Sequence, residues 1–415
     1  MRVLVIDGVG PFGGASRSLY EALRALPAGS VDVRFVAVKG TVVPFYTEVS
    51  AGLIAANGLT RFDNTRYSHY RGLRWLVLLR ELFHVPHTIA ALVRARRLWA
   101  SVDVIHANEI TEILPALLAR WIFRAPVLLH VRSLQRVDPR SWRCRWFARR
   151  LRRDIAAVVA IDENVRATLP ADIHVDIVHN SFTSSAPATP SASILERLGA
   201  LRPESLKVGF VGNLHRSKGI FDLLAAAKTV VDAGVDAEFV VVGGATRADG
   251  GAVHWMLEMV GLSQDVASEV EREIAALGLE RHVHLIGPTI DIQLVYERID
   301  VLCFPSHFDA PGRPVFEAAF SSVPSITAVT NPREDTLSDG QTGIAVPGED
   351  PPRLAAAIAY FAEHRDEVAR MGANARVLAE RNFEPRQNAE KLLAVYRRVA
   401  SRAPLVAAPP PTQPH

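Results

Sequence analysis

The chain has 415 residues, of which 49% are hydrophobic and 22% charged, with a formal net charge of +3, which is typical of a soluble globular protein with two domains of ordinary size. Its two cysteines lie far apart in sequence, which excludes a cysteine-based metal site and favours a reducing compartment. Neither a signal peptide nor a membrane span is expected, because the first apolar run breaks at Asp7 and the most apolar helical stretch, 75–93, contains charged residues.

The first predicted strand is followed by a glycine-rich loop. Residues 8–13 match G-x-G-x-x-G, the pattern that binds dinucleotides when it joins a strand to a helix. Asp7 would repel a pyrophosphate, a proline removes one N–H from the loop, and the second strand ends at Lys39 rather than at an acidic residue. The pattern therefore favours close approach of another ligand to Gly13 and Gly14, ahead of a plain turn, with NADP third.

Twelve short apolar runs alternate with helical stretches along the chain. Continuous apolar runs predict strands that are buried on both faces of a parallel sheet, and the alternation predicts two doubly wound sheets. The predicted strands are 3–6, 33–38, 102–106, 126–131, 157–161 and 175–178, then 207–211, 237–242, 282–286, 301–304, 325–329 and 343–346. The predicted divisions are a first domain at 1–182, a linker at 183–204, a second domain at 205–384, a C-terminal helix at 385–403 and a disordered tail at 404–415.

Residues 132–153 form a strongly basic segment with nine arginines and one acidic residue. Trp142, Trp146 and Phe147 are interleaved with the arginines at helical spacing. Such a helix is typical of a surface that lies on an anionic bilayer; the alternative, weighed almost equally, is a solvated face whose arginine stems cover apolar surface. Residues 1–184 hold 25 Lys and Arg against 15 Asp and Glu, whereas the rest of the chain holds 22 against 29, so the halves are expected to meet different partners.

Residues 301–320, VLCFPSHFDAPGRPVFEAAF, predict a strand, a loop and a helix that starts near Arg313. Glu317 is expected in the first turn, where the helix dipole favours a carboxylate, and Asp309 just before the helix. The N–H groups of Gly312 and Arg313, with the Arg313 guanidinium, would form a cradle for an anion. A phosphate held beside two carboxylates suits a sugar nucleotide, because carboxylates accept hydrogen bonds from hydroxyl groups.

The D-x7-E pattern of Asp309 and Glu317 resembles the E-x7-E motif of the family 4 glycosyltransferases, which have the GT-B fold. Other segments that resemble the family are VGNLHRSKGIFDLLAA (211–226), DGQTGIAVPGED (339–350), DVIHAN (103–108) and LLHVRS (128–133). The resemblance covers nearly the whole chain. It implies two doubly wound parallel-sheet domains that face each other across a cleft, with the C-terminal helix crossing back to the first domain.

The resemblance also implies roles for individual residues. His130 would reach the transferred sugar near its reacting carbon, Asp309 would hold sugar hydroxyls and Lys218 would neutralise the diphosphate; these three are the expected catalytic residues. Glu317 would bind the ribose hydroxyls. The other expected donor-binding residues are Gly13, Gly14, Asn213, Arg216, Gly287, Ile290, Gly312 and Arg313, with the base near Gly287 and Ile290.

Two positions depart from the family pattern. Asp309 stands where the family usually has Glu, and Asn213 where it usually has Arg; Arg216 is the residue expected to replace the lost charge. His106, which also ends an apolar strand, is expected to be structural. These departures keep a non-catalytic nucleotide- or glycan-binding protein among the alternatives.

The sequence thus predicts a glycosyltransferase that moves a sugar from a nucleotide-diphosphate sugar to a glycan or lipid-linked acceptor. The resemblance implies retention of anomeric configuration and no metal cofactor, and the sequence has no acidic pair at a strand end and no His/Cys cluster. A cytoplasmic location, peripheral on the membrane through 132–153, is expected, with no nucleic-acid partner. The alternatives are a GT-B sugar-nucleotide epimerase, the non-catalytic binding protein and an NADP oxidoreductase.

Overall fold

The computed structural model describes residues 1–67, 77–183, 191–244, 266–289 and 291–401. The chain divides into two compact units, one formed by Met1–Ser181 together with the chain from Pro385, the other by Phe182–Glu384. No helix in the described ranges is long and apolar enough to cross a membrane. The predicted tail at 404–415 lies outside the described residues.

The first unit is built on a seven-stranded parallel sheet in the order β3-β2-β1-β4-β5-β6-β7. Its strands are β1 (Arg2–Asp7), β2 (Asp32–Val38), β3 (Gly52–Ala56), β4 (Val104–Ala107), β5 (Val127–Val131), β6 (Ala157–Ala160) and β7 (Val175–Ile177). Its helices are α1 (Gly14–Arg24), α2 (Val43–Glu48), α3 (Val77–Leu98), α4 (Ile113–Phe123), α5 (Trp142–Asp154) and α6 (Glu163–Arg166). Strand β3 was missed from the sequence, because GLIAA is short and rich in Gly and Ala, which are uncommon in strands.

The second unit has a six-stranded parallel sheet in the order β10-β9-β8-β11-β12-β13. Its strands are β8 (Leu206–Val211), β9 (Ala237–Val242), β10 (Val283–Gly287), β11 (Val301–Phe304), β12 (Ser325–Ala328) and β13 (Gly343–Val346). Its helices are α7 (Ala192–Gly199), α8 (Ile220–Asp232), α9 (Val266–Ala276), α10 (Ile292–Tyr296), α11 (Arg313–Ala319), α12 (Pro351–Glu363) and α13 (Arg365–Asn382). The prediction of two doubly wound parallel sheets is confirmed.

Part of the predicted linker is a helix of the second unit. Ile194 and Leu198 lie one turn apart on α7, and both are buried in the core that also contains Tyr296 and Leu302. The prediction of a linker over the whole of 183–204 was therefore wrong for α7, because the Ser/Pro-rich composition of the preceding residues hid this short amphipathic pattern.

The C-terminal helix, α14 (Pro385–Ser401), belongs to the first unit. Leu392, Val395, Tyr396 and Val399 are buried in the core of the first sheet. They recur every three or four residues, so one face of the helix supplies this burial. The chain therefore returns to the first unit after the second is complete, as the resemblance implied.

Candidate active site

In the second unit, the turn after β8 lies against the loop after β11. The carbonyl of Ser217 accepts the backbone N–H of His307 at 3.0 Å. Gly219, with φ of 75°, approaches Pro305 so closely that a Cβ would overlap its carbonyl oxygen. His307 Nε2 also lies 2.6 Å from Asp222 Oδ2 of α8, a link that sequence reasoning missed. Because β8 and β11 are neighbours in the sheet, two adjacent carboxyl ends form one surface.

Lys218 lies in this turn and carries a positive charge that no carboxylate neutralises among the described residues. Its ammonium lies 4.8 Å from the ring centroid of Phe308 and 5.7 Å from that of Phe304, so two aromatic faces hold it. Burial lowers the pKa of Lys218 from its usual range. A partly desolvated cation with only aromatic neighbours is well suited to an anionic ligand.

Asp309 follows Phe308, whose ring lies against the Lys218 ammonium. Its φ is 51°, a left-handed conformation that Asp adopts more readily than most side chains. Its Oδ1 accepts the backbone N–H of Thr330 at 2.7 Å, which ties the loop after β11 to the segment after β12. The structure therefore brings the predicted Lys218 and Asp309 to one loop surface.

Glu317 is placed differently from the sequence expectation. Helix α11 begins at Arg313, so Glu317 is its fifth residue and lies beyond the first turn. The residue is only 5% exposed, its Oε1 accepts from Arg313 Nε at 2.9 Å and its Oε2 from the Tyr296 hydroxyl at 3.0 Å. The expected first-turn position was wrong, and the carboxylate is part of the packing between α10 and α11.

The same ion pair changes the expectation for Arg313. Its guanidinium bonds Glu317 and lies over the Phe316 ring at 5.4 Å, so its charge is already neutralised inside the unit. Gly312 caps a helix of only seven residues, and a Cβ there would overlap the ring of Phe304. The predicted anion cradle therefore lacks the free guanidinium on which it relied.

Arg216 does not replace the charge missing at Asn213. It forms an ion pair with Glu269 of α9 and stacks over the Phe221 ring at 4.6 Å. Asn213 itself is exposed just after β8. Arg216 therefore does not replace the positive charge that the family usually has at position 213, because the Glu269 carboxylate already neutralises its guanidinium.

The structure adds little on the two residues that are predicted to lie near the nucleotide base of the donor. Gly287 ends β10 with φ of 85°, and a Cβ there would meet no atom within 4 Å. Open space at this position leaves its ligand-binding role a prediction. Ile290 lies outside the described residues.

In the loop after β1 of the first unit, close packing leaves no room for a side chain at Gly8 or Gly10, but it does leave room at Gly13. A Cβ on Gly8 would overlap the Glu112 carboxylate, and one on Gly10 would overlap the carbonyl of Lys39. At Gly13, which caps α1, a Cβ would meet only a carbonyl oxygen at 4.0 Å. Gly14 is the first residue of that helix. Space is therefore open at Gly13, as close approach of a ligand would require.

His130 lies near the end of β5 and is 3% exposed, with its ring stacked on that of His106 at a centroid distance of 5.5 Å. Burial, the Arg132 guanidinium and the neighbouring His106 ring lower the pKa of His130 well below its usual range. Among the described residues, its Nε2 has no partner within hydrogen-bond distance. His106 differs, because its Nδ1 lies 2.6 Å from the Tyr396 hydroxyl of α14.

Arg132 organises this end of the first sheet; from the sequence it was placed at a strand end beside His130 but was given no role. Its Nε donates to Asn108 Oδ1 at 2.8 Å, its Nη1 to Asn180 Oδ1 at 3.0 Å, and its Nη2 lies 3.3 Å from His130 Nδ1. Since a guanidinium can only donate, His130 Nδ1 accepts and the imidazole proton lies on Nε2. Partial burial lowers the pKa of Arg132 to about 10. Its position two residues after His130, at a strand end, was the available signal.

Among the described residues, no three His, Cys, Asp or Glu side chains are grouped so that they could hold a metal ion. Metal independence remains a prediction.

The two halves of the chain match two family models. Residues 197–378 match the group 1 glycosyl transferases, and residues 13–180 match the glycosyl transferase 4-like domain. The lipopolysaccharide core biosynthesis mannosyltransferase LpsB of Rhizobium meliloti is 24% identical over 294 residues, which cover 70% of this chain and 78% of that protein. A D-inositol 3-phosphate glycosyltransferase of Corynebacterium urealyticum is 29% identical over 215 residues, which cover 51% of this chain and 47% of that protein.

Solved structures share the fold. HepE of Anabaena in complex with UDP has a TM-score of 0.71 at 19% identity, with 96% of this chain and 100% of that chain covered. A glycosyltransferase from Rickettsia africae has a TM-score of 0.72 at 16% identity, with 97% and 99% covered. At this identity the likeness concerns the fold alone.

Proposed function

Because the chain belongs to the family 4 glycosyltransferases and has their GT-B fold, we propose that it transfers a sugar from a nucleotide-diphosphate sugar to a glycan or lipid-linked acceptor with retention of anomeric configuration. That the protein is a glycosyltransferase follows from the family; the donor, the stereochemistry and the acceptor are the proposal. HepE has been solved with UDP and with UDP-glucose, which makes uridine nucleotides the first donors to test.

The observation that carries the proposed donor is Lys218. Negative charge develops on the diphosphate as it leaves the sugar, and a fixed cation at that point stabilises the transition state more than the ground state. Lys218 is partly desolvated and has no carboxylate partner among the described residues, so its charge is available for this task. Asp309, beside Phe308, would accept from sugar hydroxyls, with one oxygen already held by the N–H of Thr330.

His130 would act on the sugar as a neutral hydrogen-bond donor. Its lowered pKa keeps the imidazole uncharged at neutral pH, and Arg132 directs the proton to Nε2. A buried N–H without a protein partner gains most from a ligand oxygen, because leaving it unpaired costs free energy. Glu317 would bind the ribose hydroxyls only with carboxylate oxygens that already accept hydrogen bonds from Arg313 and Tyr296.

A second candidate is a protein that binds the nucleotide sugar or a glycan without catalysis. The ion pair of Arg216 with Glu269 favours it, since Asn213 then remains without a substitute for the family's usual Arg. The acceptor is proposed to be reached from the cytoplasmic side, with the protein peripheral on the membrane; the arginine-rich composition of 132–153 supports this.

The test is a transfer assay with purified protein, a panel of nucleotide sugars and lipid-linked or soluble glycan acceptors. Release of nucleoside diphosphate together with a product whose anomeric proton signal matches the donor's configuration is the expected result. Donor binding without release or transfer would favour the non-catalytic candidate. An epimerised nucleotide sugar, formed without acceptor, would favour the epimerase.

A further inference from the structure

Helix α3 directs small and polar side chains towards the protein and large apolar side chains outwards. Its buried residues are Glu81, Thr88, Ala91, Leu92 and Ala95. Apart from Leu98 at its last position, which is 60% exposed, its large exposed apolar residues are Leu79, Leu82, Phe83, Ile89 and Val93, with exposed fractions of 63%, 65%, 68%, 43% and 37%. A helix that only covers a sheet shows the reverse pattern, because it gains stability by burying its largest apolar side chains.

These exposed side chains form one continuous stripe, the α3 stripe, defined as Leu79, Leu82, Phe83, Ile89 and Val93. Steps of three or four residues lead from Leu79 to the adjacent pair Leu82 and Phe83, then through the exposed Pro86 to Ile89 and Val93, so all lie on one face of the helix. At 1.5 Å per residue the stripe is about 21 Å long. Large contiguous apolar patches on a protein surface mark sites that bind another apolar surface.

The exposed charged side chains that α3 itself carries beside the stripe have one sign. Arg94, Arg96 and Arg97 are exposed at the C-terminal end of α3, where the helix dipole also favours cations. The one acidic residue in 77–98, Glu81, is buried, and its carboxylate bonds Arg80 and the backbone N–H of Arg61. An apolar stripe flanked by arginine matches an anionic lipid surface, whereas a second copy of the helix packed in parallel would bring these arginines towards each other.

Helix α5, the segment first expected at the membrane, uses most of its side chains inside the first unit. Phe147 is buried, and Trp146 packs edge-on against Phe62 at 5.3 Å. Arg150 pairs with Asp154 on the same helix, and Arg152 pairs with Asp172. Among the aromatic side chains of α5, Trp142 is the one that is largely exposed, at 58%. The α3 stripe is therefore the larger apolar surface.

We propose that α3 docks the protein on an anionic lipid bilayer, with the α3 stripe among the lipid headgroups and acyl-chain ends and Arg94, Arg96 and Arg97 against the lipid phosphates. Docking through the first unit would bring the protein to a lipid-linked acceptor. In that respect the inference rests on the proposed function.

The test is co-sedimentation of the full chain with phosphatidylcholine vesicles, with and without phosphatidylglycerol, at low and high salt. Wild-type protein is expected to bind the anionic vesicles, and salt is expected to weaken binding. Leu82→Glu and Phe83→Glu should each weaken binding by about tenfold or more, since a carboxylate replaces an apolar side chain on the docking surface. Both positions are exposed and Glu is a good helix former, so the fold should not change. Val377→Glu, at a position 66% exposed on α13, is the matched control and should bind as wild type.

Stabilisation by nucleoside diphosphate, measured without vesicles, should be the same in all four proteins and shows that the variants are folded. Wild-type binding in both α3 variants would overturn the inference, as would loss of binding in Trp142→Ala alone. A dimer in solution that Leu82→Glu separates would assign the stripe to a second copy and overturn it too. Absence of nucleotide stabilisation in wild type would count against the proposed function and leave the vesicle result to stand by itself.

Discussion

The charged side chains around the carboxyl ends of β8 and β11 differ in whether another side chain neutralises them. Arg313 and Glu317 neutralise each other within α11, and Arg216 is neutralised by Glu269. Lys218 has only aromatic neighbours at cation–π distance. The sequence pattern identified Arg313, Glu317, Arg216 and Lys218 but not this difference. The partner of Arg216, Glu269, is 53 positions away and is brought close by the packing of α9.

Glu317→Ala is expected to lower the free energy of unfolding by about 1–3 kcal/mol, since it removes the carboxylate that accepts from the buried Tyr296 hydroxyl and from the Arg313 guanidinium. Urea denaturation measures the change, and Glu363→Ala, at an exposed position near the end of α12, serves as control. Unchanged stability together with lost activity would restore Glu317 to the purely ligand-binding role expected from the sequence.

His130→Gln is expected to reduce turnover while nucleoside diphosphate binds as in wild type. The physical reason is that the diphosphate is assigned to Lys218 of the second unit, whereas the Nε2–H of His130 is proposed to meet the sugar. Activity and nucleotide-dependent stabilisation, measured on the same preparation, separate the two effects. Equal loss of both would show that His130 acts on nucleotide binding or on folding.

Glu112 gives the first unit a pH dependence whose sign can be worked out. Burial raises the pKa of Glu112 from 4.5 to about 8, so between these values the folded protein binds more protons than the unfolded chain. Its contribution to stability is therefore full below about pH 4.5 and is lost as the pH rises to about 8. In Glu112→Gln this loss should disappear, so stability relative to wild type should increase across that window. A difference between the two proteins that does not change with pH would contradict the assignment.

At the scale of elements, strands were predicted well because Val3–Ile6 is apolar throughout and 237–242 is apolar apart from Glu238, and both runs carry β-branched residues. Strand β3 was missed because its sequence is short and rich in Gly and Ala, and helix α7 because Ser/Pro-rich residues precede its short amphipathic pattern. The direction of α3 was not predictable either. Both of its faces contain apolar residues, so only the packed structure shows that the larger ones point outwards.

The role of α14 in the first unit leads to a prediction for Tyr396. Tyr396→Phe removes the hydroxyl that lies 2.6 Å from His106 Nδ1 in a fully buried setting and should cost about 1–2 kcal/mol of stability. Tyr360→Phe is the matched control, because that hydroxyl meets Glu367 at 3.4 Å near the surface. Thermal unfolding of both variants compares them. Equal and negligible effects would mean that the hydrogen bond contributes nothing to holding α14.

At the scale of the whole molecule, each unit carries its own polar cluster at the carboxyl ends of its strands. Topology dictates this edge, so the sequence could indicate where to look for Lys218, Asp309 and His130. The role of Arg132 was missed because it depends on Asn108 and Asn180, which come from two other segments of the first unit. Predicting such a network requires the register of the sheet, which local pattern does not provide.

The claim that Lys218 neutralises a donor diphosphate without a metal is tested most directly by thermal unfolding with a panel of nucleoside diphosphates in the presence of chelator. At least one nucleotide should raise the melting temperature of wild type and of Lys228→Ala, whose lysine pairs with Asp232, but much less that of Lys218→Ala. A charge-assisted contact of this kind corresponds to a loss of affinity of about 10- to 100-fold. Absence of any nucleotide effect in wild type, a requirement for Mg²⁺ or Mn²⁺, or an undiminished effect in Lys218→Ala would contradict it.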